Sequence, residues 1–313
     1  MPTVDEQNLL NAITAIGLSA NLANDIVTVT GTVVYNQTLY LNIPSHITVL
    51  WKAKISTTAN ITIGSANILI HLIGSGIFEV STGAEISASN LNNAISVNNA
   101  TVPYPTVTIK ISDGVVSSFN GSTINNSQIA SPPAQIIVNS GEVKCTNTGQ
   151  AIFTNGNLTV NGGIISATTN NAIRVNHASS TAVISIRGGL IYNKSNTIPV
   201  LNLIHSVPAV ISGGTLFSYS NSSTANITTI IQGNYTPSGN AMIFAWYNIG
   251  NSYTGGSTTD IQNLYNGTAQ WSLQGKLSGI LYSNGSNNGF IEINGVTVYA
   301  PQSTVQTLPL WIE

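Results

Sequence analysis

Gly162-Gly163-Ile164-Ile165-Ser166-Ala167-Thr168-Thr169-Asn170-Asn171-Ala172-Ile173 combines a glycine pair, a short β-type run, a polar turn and the start of a second apolar run. The same glycine-led pattern recurs as Asp113-Gly114-Val115-Val116, Ser140-Gly141-Glu142-Val143, Gly188-Gly189-Leu190-Ile191 and Gly213-Gly214-Thr215-Leu216. In chain order the aligned glycines lie 27, 22, 26 and 25 residues apart. A second run recurs inside the units as Ala94-Ile95-Ser96-Val97, Ala151-Ile152-Phe153-Thr154, Ala172-Ile173-Arg174-Val175 and Leu201-Asn202-Leu203. Period, corner glycine and inward apolar residues are kept, while outward positions vary. Units that cannot bury an apolar face alone must stack and share one core. Glycine suits the corners because sharp turns often need positive φ. The expected fold is therefore an all-β, right-handed parallel β-helix, or β-solenoid. A sandwich is disfavoured because its strands carry no such fixed-period register.

Outward from this centre, short β runs bounded by Asn, Gly, Ser or Pro lie at Ile26–Val34, Leu39–Ile43, Ile47–Trp51, Ile61–Ile63, Ile68–Ile73 and Ile77–Val80. Residues 5–17 are the best helix candidate. Leu9, Leu10, Ile13 and Ile16 fall at helical spacing, Asp5 and Glu6 suit the N-terminal end, and Gly17 is a stop signal. Such a helix would cover the open first coil. The expected organisation is an N-terminal cap with a short helix over 1–24, coils over 25–240, and terminal irregular coils with a β-type C-terminal cap over 241–313. Asn98, Asn155 and Asn176 align in one column, where stacked amides would form a ladder.

Only 6% of the 313 residues are charged and the net charge is −2, so no global pull on nucleic acid or anionic lipid is expected. No apolar run reaches the roughly 18–20 residues of a spanning helix. The lone Cys145 excludes an internal disulfide framework and reads as a buried small hydrophobe. Met1-Pro2-Thr3 lacks a basic n-region and an apolar h-region. This suggests a piece of a longer secreted protein, or a chain exported without that pathway, as phage structural proteins are.

The chain resembles bacterial right-handed β-helix repeat proteins from large surface or secreted polypeptides. The resemblance is carried by Leu9-Leu10-Asn11-Ala12-Ile13, by Asp25-Ile26, by Ile43-Pro44-Ser45-His46-Ile47-Thr48-Val49 and by the 162–173 unit. It continues from Trp246 through Trp271 to Gly289-Phe290-Ile291 and Gly295-Val296-Thr297-Val298. It implies the fold and an extracellular or surface location, with adhesin-like character, but no particular activity.

The search for chemistry returns little. Glu142 aligns with Ile164 and Leu190, so no carboxylate neighbours it on the next coil. Asp113 reads as a turn residue. Glu79 and Glu85 are the one carboxylate pair that a bend would bring together. His177 and His205 are weak metal candidates: if Leu201 stacks on Ile173, they share a column on adjacent coils. Calcium-roll repeats, nucleophile elbows and phosphate loops are all missing. No catalytic residue and no cofactor are expected. Exposed aromatics beside Asn or Gln would contact sugar, and Tyr192 and Phe217 share one outward column, with Tyr247 and Trp271 further candidates.

The leading expectation is a non-catalytic extracellular or surface module, structural or adhesive, contacting glycans or other surface proteins. A self-assembling filament or phage subunit is the first alternative, for which the apolar tail Thr307-Leu308-Pro309-Leu310-Trp311-Ile312 is suited. A polysaccharide lyase or glycoside hydrolase on the same scaffold is the second.

Overall fold

The computed structural model describes residues 1–61, 67–90, 92–97, 106–127, 134–176, 182–193, 195, 198–220 and 231–237. It also describes the backbone of strands at 242–249, 252–255, 271–273, 279–281, 290–293, 296–299 and 306–308. The body is a parallel β-solenoid. Each coil contributes two strands joined at a corner to one large sheet, and a third strand to an eight-stranded sheet.

One coil shows how the sequence builds the whole. Gln135–Val138 and Glu142–Cys145 flank the corner at Gly141, and Ile152–Thr154 supplies the third strand. In the first strand Ile136 and Val138 point inward, and in the second Val143 and Cys145 do. The next coil repeats this with Asn157–Val160, Ile164–Ala167 and Ile173–Val175, in parallel register on the one before.

Stacking lines the apolar residues into continuous files. Val27, Val49, Phe78, Ile109, Ile136, Leu158, Ile184 and Ala209 form one. Across the core stand Leu39, Ile70, Ile95, Ile124, Ile152, Ile173 and Leu201. All are buried, each large aliphatic one contributing about 1.5–3 kcal/mol. Trp51 and Phe78 are buried in the early coils, with ring centroids 5.6 Å apart.

The corner glycines stand in vertical file, as the repeat demands. Gly114, Gly141, Gly163, Gly189 and Gly214 all have positive φ. A Cβ on Gly163 would also lie 2.8 Å from the carbonyl oxygen of Gly141 below it. Both the left-handed backbone and the close stacking exclude a side chain.

The helix runs Val4–Thr14 behind a capping box. The Thr3 side chain accepts from the Glu6 amide, and Glu6 accepts from the Thr3 amide. Leu9 and Ile13 are buried on the first coils. An element not foreseen follows. Ser19–Ala23 pairs antiparallel with Ile26–Thr30 through a tight turn in which Asn24 and Asp25 have φ 51° and 62°. The predicted run Ile26–Val34 is two strands, Ile26–Thr30 and Thr32–Val34, broken by Gly31. The run at Ile61–Ile63 falls largely outside the described residues.

A further coil contains Ile124–Asn126, whose strand lies between those of Ile95 and Ile152. It escapes notice in the sequence because buried Asn126 occupies an inward position that Val97 holds on the preceding coil. After residue 240 the parallel rhythm changes. Met242–Ile249 still pairs parallel to Ala209–Ser220, but pairs antiparallel with Ser252–Gly255, and Phe290–Ile293 pairs antiparallel with Val296–Tyr299.

Candidate functional site

The outward faces are mostly neutral, and three of their lysines pair with glutamates. Glu79 and Lys110 are register partners, with Nζ 3.0 Å from Oε2, while the Ser112 hydroxyl donates to Glu79 Oε1 at 2.6 Å. Glu85 and Lys54 are likewise register partners, 3.5 Å apart. Glu142 pairs with Lys144 along its own strand at 2.7 Å. Glu79 and Glu85 therefore do not form a carboxylate pair: each is committed to its own lysine.

Glu6 joins the cap to the coils. His46, at the turn before Thr48–Trp51, places Nε2 2.8 Å from Glu6 Oε1. The His46 hydrogen bond, followed by the bond from the Thr3 backbone, holds the Glu6 carboxyl below its ordinary range. Asp25, from the hairpin turn, completes a set whose ligand atoms all lie within 4.8 Å of one another. One imidazole and two carboxylates are a donor set able to take a divalent metal ion. Neither His46 nor Asp25 was distinguishable by spacing, because the three residues come from separate elements.

Of the two histidines aligned from the sequence, only one is described. His177 lies outside the described residues. Leu201 does stack on Ile173, but His205 is exposed in a short turn with φ 61°.

Tyr192 and Phe217 are register partners, as their alignment predicts. Tyr192 is nevertheless only 4% exposed, which corrects its placement as an exposed sugar platform. Outward from the coil does not mean open to solvent. Its phenol is pushed up by burial, an effect that a hydrogen bond with Ser166 opposes. Phe217, Tyr247 and Trp271 lie on strands, but their side chains are outside the described set. Cys145 is a free, buried thiol, its Sγ near the carbonyl oxygens of Phe119 and Gly121.

Among the described residues, amide ladders form in other columns. Asn161 Nδ2 donates to Asn139 Oδ1 at 2.9 Å, and Asn147 Nδ2 donates to Asn120 Oδ1 at 2.6 Å. Asn155 donates to the main chain of Ser127. Asn98 lies outside the described residues.

On the side of the eight-stranded sheet facing away from the core runs the file Tyr40, His71, Ser96, Asn125, Phe153, Arg174, Asn202 and Gln232. It carries no carboxylate. The rings of Tyr40 and His71 are 5.2 Å apart, and the Arg174 guanidinium lies 5.7 Å from the centroid of Phe153. Eight buried side-chain polar atoms have no hydrogen-bond partner among the described residues, and four are in this file: Ser96 Oγ, Asn125 Oδ1, Arg174 Nε and Asn202 Oδ1. These positions are the middle residues of the recurring Ile-x-Val type triplet. That alignment was the available sequence signal, but their chemistry emerges only once the coils are stacked.

Comparison with protein-family models, curated proteins and solved structures returns no match. Among the described residues, no helix is long and apolar enough to cross a membrane.

Proposed function

We propose that this chain is a non-catalytic structural or adhesion module of an extracellular or cell-surface protein, presenting its coil faces to glycans or to other surface proteins. One observation carries this reading. Each of the coil-face glutamates Glu79, Glu85 and Glu142 is bound to a lysine, and none has a carboxylate as register partner on a neighbouring coil. Glycoside hydrolysis needs two carboxyl groups facing one bond, one of them held protonated as the acid. What remains is a neutral, hydrogen-bonded scaffold whose repeated backbone sets the spacing of any surface group.

The adhesin-like resemblance at the cap and in the 162–173 unit adds to this reading. The test is incubation of the full chain with neutral and anionic polysaccharides, following reducing ends and unsaturated products. No turnover is expected, and release of either product above a buffer control would overturn the proposal.

A further inference from the structure

The Glu6 side chain is only 9% exposed, although it is a carboxylate. Burying a charge is costly unless it is answered. Oε2 accepts from the Thr3 amide, and Oε1 faces His46 Nε2 at 2.8 Å. A carboxylate has about four lone-pair sites, so acceptor capacity remains after these two contacts.

Asp25 brings a second carboxylate to the same place. Its ligand oxygen, the Glu6 oxygen and the His46 nitrogen all lie within 4.8 Å of one another. Among the described residues, the Asp25 carboxylate has neither a hydrogen bond nor an ion pair. Two carboxylates this close repel, and one histidine offers at most a single positive charge in return. The backbone holds them together nonetheless. The Ile47 amide donates to the Pro44 carbonyl, closing the turn that carries His46. The Thr48 amide donates to the Asp25 carbonyl at 2.9 Å, tying the hairpin turn to the next coil. Glu6 is set by the capping box.

We propose that Glu6, Asp25 and His46 bind a zinc ion that staples the N-terminal helix to the first two coils. Calcium and magnesium prefer all-oxygen sites, whereas zinc takes imidazole nitrogen and carboxylate oxygen together. A dication answers both carboxylates at once. Zinc bonds of ~2.0–2.2 Å set tetrahedral ligand atoms roughly 3.3–3.6 Å apart. The spacing of 2.8 Å between Glu6 and His46 is near this already. Asp25 is exposed, and rotation of its side chain closes the set. His46 binds through Nε2 with its proton on Nδ1. Three protein ligands leave the fourth position to water.

The test is isothermal titration of the EDTA-treated full chain with zinc, calcium and magnesium chlorides. One zinc ion per chain is expected, bound more tightly than either other cation. Asp25→Asn should weaken zinc at least about tenfold. Asparagine keeps the side-chain shape and tolerates the φ of 62° at this position. Because Asp25 has no other partner, this variant separates metal binding from the Glu6–His46 hydrogen bond. Glu142→Gln, on a later coil, should leave zinc affinity unchanged. Were Asp25→Asn to unfold, His46→Gln carries the comparison, since its amide can still donate to Glu6 but is a poor zinc ligand.

Hydrogen exchange supplies the second readout. Zinc at one hundred times its Kd should slow exchange in the Val4–Thr14 amides by about a hundredfold, where opening of the cap releases the ion. The folded Asp25→Asn variant should show no such slowing at that concentration. Equal zinc affinity of wild type and the folded variants would overturn the inference, because zinc held at another histidine or at Cys145 survives these substitutions. So would the absence of zinc binding, tighter binding of calcium or magnesium, or zinc binding that leaves exchange in the helix unchanged.

Discussion

Lys110 lies in register on Glu79 of the neighbouring coil, and its Nζ is 3.0 Å from Glu79 Oε2. The contact runs along the solenoid axis, so it links coils instead of residues within one coil. The Ser112 hydroxyl binds the other carboxylate oxygen, which fixes the geometry. Glu79→Gln is expected to lower unfolding stability by roughly 1 kcal/mol, given partial exposure of both partners. A double-mutant cycle with Lys110→Met, measured by chemical denaturation, should show coupling of similar size. Additive effects would mean that the pair contributes nothing across the coils.

Gly83 and Gly163 have nearly the same φ, +81° and +80°, but different surroundings. Nothing lies within 4 Å of a Cβ on Gly83, whereas a Cβ on Gly163 meets Gly141 O at 2.8 Å. Gly83→Ala should therefore cost only the left-handed backbone term, about 1 kcal/mol. Gly163→Ala should cost roughly 1–3 kcal/mol more, because the stacked backbones must separate. Equal melting temperatures for the two variants would refute close stacking at the corner.

Tyr192 gives the solenoid an alkaline limit. Burial raises its pKa above the ordinary 10.0, so the folded state favours the neutral phenol. The contribution is fully present below pH 10 and is lost as pH rises through the folded value. Tyr192→Phe is expected to lose less stability than wild type as pH is raised across this window. The check is thermal melting of both proteins over a pH series, and parallel curves would count against the burial of Tyr192.

Thr3 and His46 act on the cap through the same carboxylate, that of Glu6. Thr3→Ala should cost the helix about 1 kcal/mol through the lost capping box. His46→Ala should increase hydrogen exchange in the amides of Val4–Thr14 while leaving Ile152–Thr154 protected. Equal protection of the helix in wild type and His46→Ala would show that the bond to Glu6 does not hold the cap.

Much of the architecture was legible because stacking acts on a few repeated positions. Gly163 announces the corner, and Ile152, Ile173 and Leu201 announce the file opposite, since glycine and β-branched or aliphatic residues are selected there by backbone conformation and burial. Ile124–Asn126 was obscured because Asn126 is polar at an inward position. Ser19–Ala23 was obscured because Ser-Ala-Asn-Leu-Ala has no strong β signature. The side-chain chemistry was far less legible. The burial of Tyr192 depends on what surrounds it, and Glu6 meets His46 across 40 residues of chain. The unsatisfied file of Ser96, Asn125, Arg174 and Asn202 is a property of four different coils.

Because every coil rests only on the ones before and after it, the molecule is divisible at its corners. Duplicating or removing one whole glycine-to-glycine unit would keep each inward file unbroken and change the length by about 4.8 Å. Reach is thus inherited in discrete steps. A lineage carrying this fold can adjust how far it extends without redesigning any contact it already has.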